Sequence, residues 1–230
     1  MPKNHKRIKY KAKDDYSKVY QFKIKLLEIK PDIWRRIQVP ENYTFWDLHV
    51  AIQDSMGWTD SHLHEFRVRH PLTARETNLG IPVDEDEKDP NQIFPDWEYR
   101  IADIFGEYNT EILYVYDFGD DWRHMVILEG IRERDKNTQY PLCLDGARAC
   151  PPEDVGSSNG YDDFLEIISD PNHEEYKEYI DWASSQIDIK KGYQSCREGN
   201  KTTKFDPEHF DVKKIVFDDP VERIKTLSRN

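Results

Sequence analysis

Between Ile112 and Ile131 large apolar residues alternate along the chain on either side of a three-residue turn, Gly119-Asp120-Asp121, and that pattern leaves few folds open. A period of two sends alternate side chains to opposite faces of a strand, and a Gly/Asp turn between two such runs closes an antiparallel hairpin. On the first run Ile112, Tyr114, Tyr116 and Phe118 share one face, and Leu113, Val115 and Asp117 the other. On the second, Trp122, His124, Val126 and Leu128 oppose Arg123, Met125 and Ile127. Large residues on both faces predict a central strand covered on two sides. Asp117 and His124 flank the turn and are placed to meet across it, subject to the register.

The same period recurs near the start of the chain. Tyr20, Phe22, Ile24 and Leu26 alternate with Gln21, Lys23 and Lys25, Lys30-Pro31-Asp32 interrupts, and residues 33–39 alternate again, which predicts a second hairpin. Thr44 followed by Asp47 is a capping box with Asp in the usual Glu position, so a helix opens at Phe45. Its apolar stripe is Phe45, Leu48, Ile52 and Met56, and Gly57 supplies the left-handed residue that ends it. Further on, a short strand is expected at 66–69, a long surface excursion at 71–97 and a short helix around Ile101, Ile104 and Phe105. A turn-rich loop at 145–160 leads into a helix from Tyr161, followed by another at about 174–184 and a last one opening at Pro220. Runs of strands and helices that do not alternate regularly indicate an α+β fold: a mixed, mainly antiparallel sheet with helices packed on it, formed by one domain over 20–230 behind a basic, flexible lead-in at 1–19.

Charge narrows the function. A formal net charge of -12 opposes wholesale attraction to nucleic acid or to an anionic membrane. Arg35 and Arg36, the obvious basic pair, fall on opposite faces of their strand and make no stripe with Arg67, Arg69 and Trp34. A protein partner is therefore expected before nucleic acid, and no window is apolar enough to span a membrane. The three cysteines, Cys143, Cys150 and Cys196, form no even set and no apolar leader precedes them, which points to a reducing cytoplasm.

The side chains able to assemble chemistry are His62, His64, Asp117, Asp120, Asp121, Trp122, His124, Cys143, Cys150, Glu153 and Asp154. His62 and His64 are two apart, so on a strand they would share a face and reach one ion. Carboxylates with histidine suit a divalent metal, but Cys143 and Cys150 lack the paired spacing of a structural zinc site and no cofactor fingerprint is present. The plain alternative is that the Asp residues cap turns, that His124 is a sheet histidine and that the cysteines are small buried hydrophobes. Asp117-Phe118-Gly119 matches a kinase triplet, without the loops that give the triplet meaning.

Four segments taken together, residues 31–37, 57–66, 116–124 and 150–161, resemble the plasmid pRiA4b ORF-3-like family of prokaryotic proteins. The resemblance implies an α+β fold and a plasmid or mobile-element setting, and it brings no catalytic residues with it. Ser157 stands where the family has the second of two glycines, which argues against a close backbone approach, such as anion binding, at the helix start. The sequence thus favours a non-enzymatic binding module that uses the loops at 58–64, 117–124 and 145–160, with a metal-dependent hydrolase on the same loops as the alternative.

Overall fold

The computed structural model describes residues 15–70, 74–82, 92–188 and 205–227. The basic lead-in up to residue 14, the acidic run at 84–89 and the Lys-rich stretch at 189–204 lie outside these residues.

Among the described residues, eight strands form one sheet in the order β5-β4-β3-β6-β7-β1-β2-β8. The expected hairpins supply its centre: β1 (Lys18–Leu26) with β2 (Trp34–Pro40), and β6 (Glu111–Tyr116) with β7 (Trp122–Glu133). β1 and β7 also pair, from Lys18 against Glu133 to Leu26 against His124, and this joins the two hairpins. On the far side of β6 lie β3 (His64–Arg69), β4 (Glu76–Gly80) and the three-residue β5 (Ile93–Pro95), which runs parallel to β4. The opposite edge is β8 (Leu142–Ala147), whose register against β2 slips between Arg36 and Ile37. The excursion expected at 71–97 therefore contains two strands, too short and too broken by proline to show a period.

The helix α1 (Phe45–Met56) forms as its caps require. The Thr44 side chain accepts from the Asp47 N–H, the Asp47 carboxylate accepts from the Thr44 N–H, and Gly57 turns at φ 105. The helix is buried on every side except at Asp54, because the sheet covers one face and the C-terminal helix α5 (Pro220–Leu227) lies against the other, where the Trp46 indole donates to the Pro220 carbonyl at 2.9 Å. Arg35 closes the other end. Its guanidinium is 1% exposed and donates to the carbonyls of Ser55, in the last turn of α1, and of Trp34 and Ala147, so a fixed cation meets the negative end of the helix. Arg36 on the opposite face forms a fork with the Glu129 carboxylate, at 2.7 and 2.9 Å. The two arginines are thus tied up in structure.

A short helix, α2 (Ile101–Ile104), precedes β6, and α3 (Ser157–Ser169) and α4 (Tyr176–Asp188) pack together through Phe164, Tyr179 and Trp182. The cover expected on both faces of β6 is present, with Val115 buried and Leu113 half-buried opposite Ile112, Tyr114 and Tyr116, whereas β7 is buried on one face only: Arg123 is exposed and Met125 and Ile127 are half-buried. Cys143 and Cys150 are buried and not bonded to each other, and burial pushes Cys143 up to about 11, which makes it a packing residue rather than a nucleophile.

The α3 helix starts four residues before Tyr161, at Ser157, behind Gly156 at φ 91. Ser157 itself sits at φ 67, in the left-handed region where a Cβ is strained. The position still needs glycine's geometry although the chain has serine. Replacing Ser157 by glycine is expected to raise stability by about 0.5–1 kcal/mol in urea unfolding, the strain released being partly offset by the looser unfolded chain. Gly160 is less negotiable, because a Cβ there would run into the Val155 carbonyl.

Candidate functional site

Three loops meet at one end of the sheet: the link from α1 to β3, the turn between β6 and β7, and the segment leading to α3. Their backbones are tied to each other. The Asp117 N–H donates to the Leu63 carbonyl at 2.9 Å, the Gly156 N–H to the Asp120 carboxylate at 3.1 Å and the Trp58 indole to the Pro151 carbonyl at 3.1 Å. Glu153 is the brace beneath them, 7% exposed and accepting from the Thr59 N–H, from the Thr59 hydroxyl at 2.8 Å and from the Tyr116 hydroxyl at 3.2 Å. Burial and the Glu153 charge raise the Tyr116 phenol well above its ordinary range, so it stays a donor. Asp60, Asp117, Asp121 and Asp154 all adopt left-handed backbone (φ 60, 57, 55 and 58). Aspartate tolerates that region because its short side chain bonds locally, as Asp117 does in accepting from the Gly119 and Asp120 N–H groups.

Two sets of His and Asp side chains collect here, and they differ in kind. At the rim the His62 Nε2 lies 3.0 Å from Asp154 and 3.6 Å from Asp117. Behind it are the enclosed side chains His49, His64, Asp96 and Tyr114, with Asp60 nearly covered beside them. His49 and His64 stack face to face, with centroids 3.5 Å apart and planes 7° from parallel. The Asp60 N–H donates to the Gln53 side-chain Oε1 at 3.2 Å, the Gln53 side-chain NH2 donates to the Tyr114 oxygen at 2.9 Å, and His49 spans Tyr114 and Asp60 at 2.8 Å each. Since Tyr114 already accepts from Gln53, its own hydrogen goes to His49 Nδ1, and His49 carries its proton on Nε2, facing Asp60. Burial and the adjacent His64 hold His49 below the ordinary imidazole range. Burial raises Asp60, but His49, with His64 and Arg223 beside it, outweighs that and leaves the carboxyl low. His64 pairs through Nε2 with Asp96 at 2.8 Å.

These positions correct two expectations. His62 and His64 do not share an ion, because His62 lies in the loop before β3 and faces outward while His64 opens the strand and faces the core. His124 does not meet Asp117. The register pairs it with Tyr114, inside the sheet, where its ring is 0% exposed between Trp58 and Tyr114 and neither ring nitrogen meets a partner in hydrogen-bond geometry. Burial pushes it down to about 3, and it is neutral. Trp122 is likewise buried against Trp58, and Asp121 pairs with Arg123 on the surface. His62, Asp117, Asp154 and Asp120 thus gather at the rim with Glu153 below them, whereas His64, Trp122 and His124 belong to the interior.

The enclosed set was missed in the sequence because His49, Asp60, Asp96 and Tyr114 come from four separate elements. One signal was present: His49 and Gln53 fall at i and i+4, a polar pair on the inner side of a helix that is buried almost all round.

Comparison with known proteins agrees with this architecture. The chain is 35% identical over 170 residues to the uncharacterised protein y4hQ of Sinorhizobium fredii, covering 73% of this chain and 81% of that one. A crystal structure of the protein of unknown function MM3350 from Methanosarcina mazei Go1 superposes with a TM-score of 0.73 at 40% identity, over 88% of this chain and 98% of that chain. No helix among the described residues is long and apolar enough to cross a membrane. The sequence match to the family extends over residues 18–214, through the sheet and all three loops of the rim, and the chain belongs to the plasmid pRiA4b ORF-3-like proteins.

Proposed function

We propose that the protein is a binding module that docks a protein partner on the rim, through Leu63 and Phe118 and the acidic residues around them. The observation that carries this reading is the pairing of those two residues. Phe118 is 46% and Leu63 36% exposed, and the backbone hydrogen bond between Asp117 and Leu63 sets them side by side on a braced surface. Asp120 and Asp121 follow Phe118 in the turn and Asp154 lies 3.0 Å from His62, the neighbour of Leu63, so the complementary partner presents an apolar side chain flanked by Lys or Arg. The same acidic ring repels nucleic acid. Hydrolysis on these loops is the weaker reading, since the buried carboxylate best placed to act as a base, Glu153, has its acceptors occupied by Thr59 and Tyr116. The name of the family points to a plasmid, and proteins encoded with plasmid or mobile-element genes are the first partners to test.

A photo-crosslinker placed at Phe118 tests the idea, with Tyr108, 88% exposed in a turn outside the rim, as the control position. Position 118 is expected to give a protein adduct whose crosslinked peptide carries basic flanks, and Leu63→Asp is expected to abolish it. Equal yields at 118 and 108, or adducts with nucleic acid, would overturn the reading.

A further inference from the structure

We infer that His62, Asp117 and Asp154 form a binding site for one divalent transition-metal ion. Donors sharing an ion at bond lengths of about 2.0–2.2 Å stand roughly 3–4 Å apart, and the separations here are 3.0 and 3.6 Å. A simple ion pair accounts for them less well. The His62 Nε2 atom is shut off from solvent and, despite the nearness of both carboxylates, makes no hydrogen bond with either, since the oxygens lie off its axis. Donors set around a point rather than along an N–H line are what a coordinated ion requires. The second observation is Asp117, whose side chain is only 10% exposed. Its Oδ1 takes the turn N–H groups of Gly119 and Asp120, while its Oδ2 faces His62 with no hydrogen bond. One carboxylate oxygen is thus used to shape the loop and the other is held ready.

The enclosed group fails the same test. His49 to Asp60 is an aligned hydrogen bond at 2.8 Å, and two imidazoles stacked at 3.5 Å are closer than the roughly 4.5 Å between ring centres that a shared ion demands. A nitrogen with two carboxylate oxygens and no thiolate selects an ion such as Zn²⁺ or Mn²⁺, with water completing the coordination.

The site stands independently of the docking reading, because its test needs no partner. Full-length protein is titrated with Mn²⁺, followed by loss of the free-ion EPR signal, and with Zn²⁺ by calorimetry. One equivalent is expected to bind, with affinity at least about tenfold weaker in Asp117→Asn and in Asp154→Asn and unchanged in Asp121→Asn. Asparagine keeps the left-handed backbone and the Oδ1 acceptor at 117, so that variant folds, and its metal-free melting curve should match the wild type. Absence of saturable uptake of either ion, or uptake that Asp117→Asn leaves intact, overturns the assignment.

Discussion

Acidification from pH 7 to pH 4 is expected to remove about 3 kcal/mol of stability through His124 alone, and His124→Leu should abolish that loss. The imidazole is fully enclosed and held at about 3, against about 6.5 in the unfolded chain. Between those values the unfolded state binds a proton that the native state refuses, so stability is flat above roughly pH 6.5 and falls steadily as the pH drops toward 3. His49, lowered by burial and by His64, adds to the slope with the same sign. Leucine matches the volume between Trp58 and Tyr114 and takes away two ring nitrogens that have no aligned partner, so the variant should be at least as stable as the wild type at pH 7 and clearly more stable at pH 4. Urea unfolding at the two pH values decides it. A wild-type slope that persists unchanged in His124→Leu would show that other groups carry the acid sensitivity.

Arg223→Ala should cost about 3 kcal/mol, a large effect for a polar residue outside the sheet. The guanidinium, 15% exposed, reaches from α5 to Asp54 at 2.6 Å, to Asp218 at 2.6 Å and toward Asp60 at 3.8 Å, and the Asp54 and Asp60 side chains are each only 7% exposed. Burial already lifts the Asp54 carboxyl above its usual range, although Arg223 pulls it back. Without that cation Asp54 rises further, the native state binds a proton that the unfolded state lacks, and stability falls as pH rises. The deficit of Arg223→Ala should therefore be largest at neutral pH and shrink on acidification. In Arg223→Ala/Asp54→Asn much of it should be restored at pH 7. A deficit of the same size at every pH, not relieved by the second change, would mean that lost packing of α5 rather than an unpaired carboxylate is the cause.

The two experiments bear on different parts of the chain, and so does the reach of sequence reasoning. Both central hairpins were legible because each has one clearly apolar face, and α1 was legible to the residue because Thr44, Asp47 and Gly57 are chemical requirements of helix ends. β4 and β5 were hidden, since strands of five and three residues give a period nothing to repeat over, and the start of α3 was hidden because Ser157 stands at a left-handed position. At the site, the rim loops and Asp117, Asp120, Glu153 and Asp154 could be named in advance. Which histidine joined them could not, because a one-residue change of register turns His124 from the surface to the core, and spacing alone does not reveal that the strand begins only at His64 and leaves His62 in the loop.

The two outer strands bear on how a partner can attach. At one margin of the sheet β5 has three residues and ends in proline; at the other, β8 is kinked by a slip in register against β2. Neither offers the straight ladder of free N–H and C=O groups on which a foreign peptide could lie as a ninth strand, and both resist edge-to-edge self-association. Among the described residues both edges therefore disfavour recognition by backbone addition, which is largely indifferent to sequence. A partner docked on the rim as proposed would be read through side chains, and selectivity would be a property of a few residues that can be exchanged one at a time.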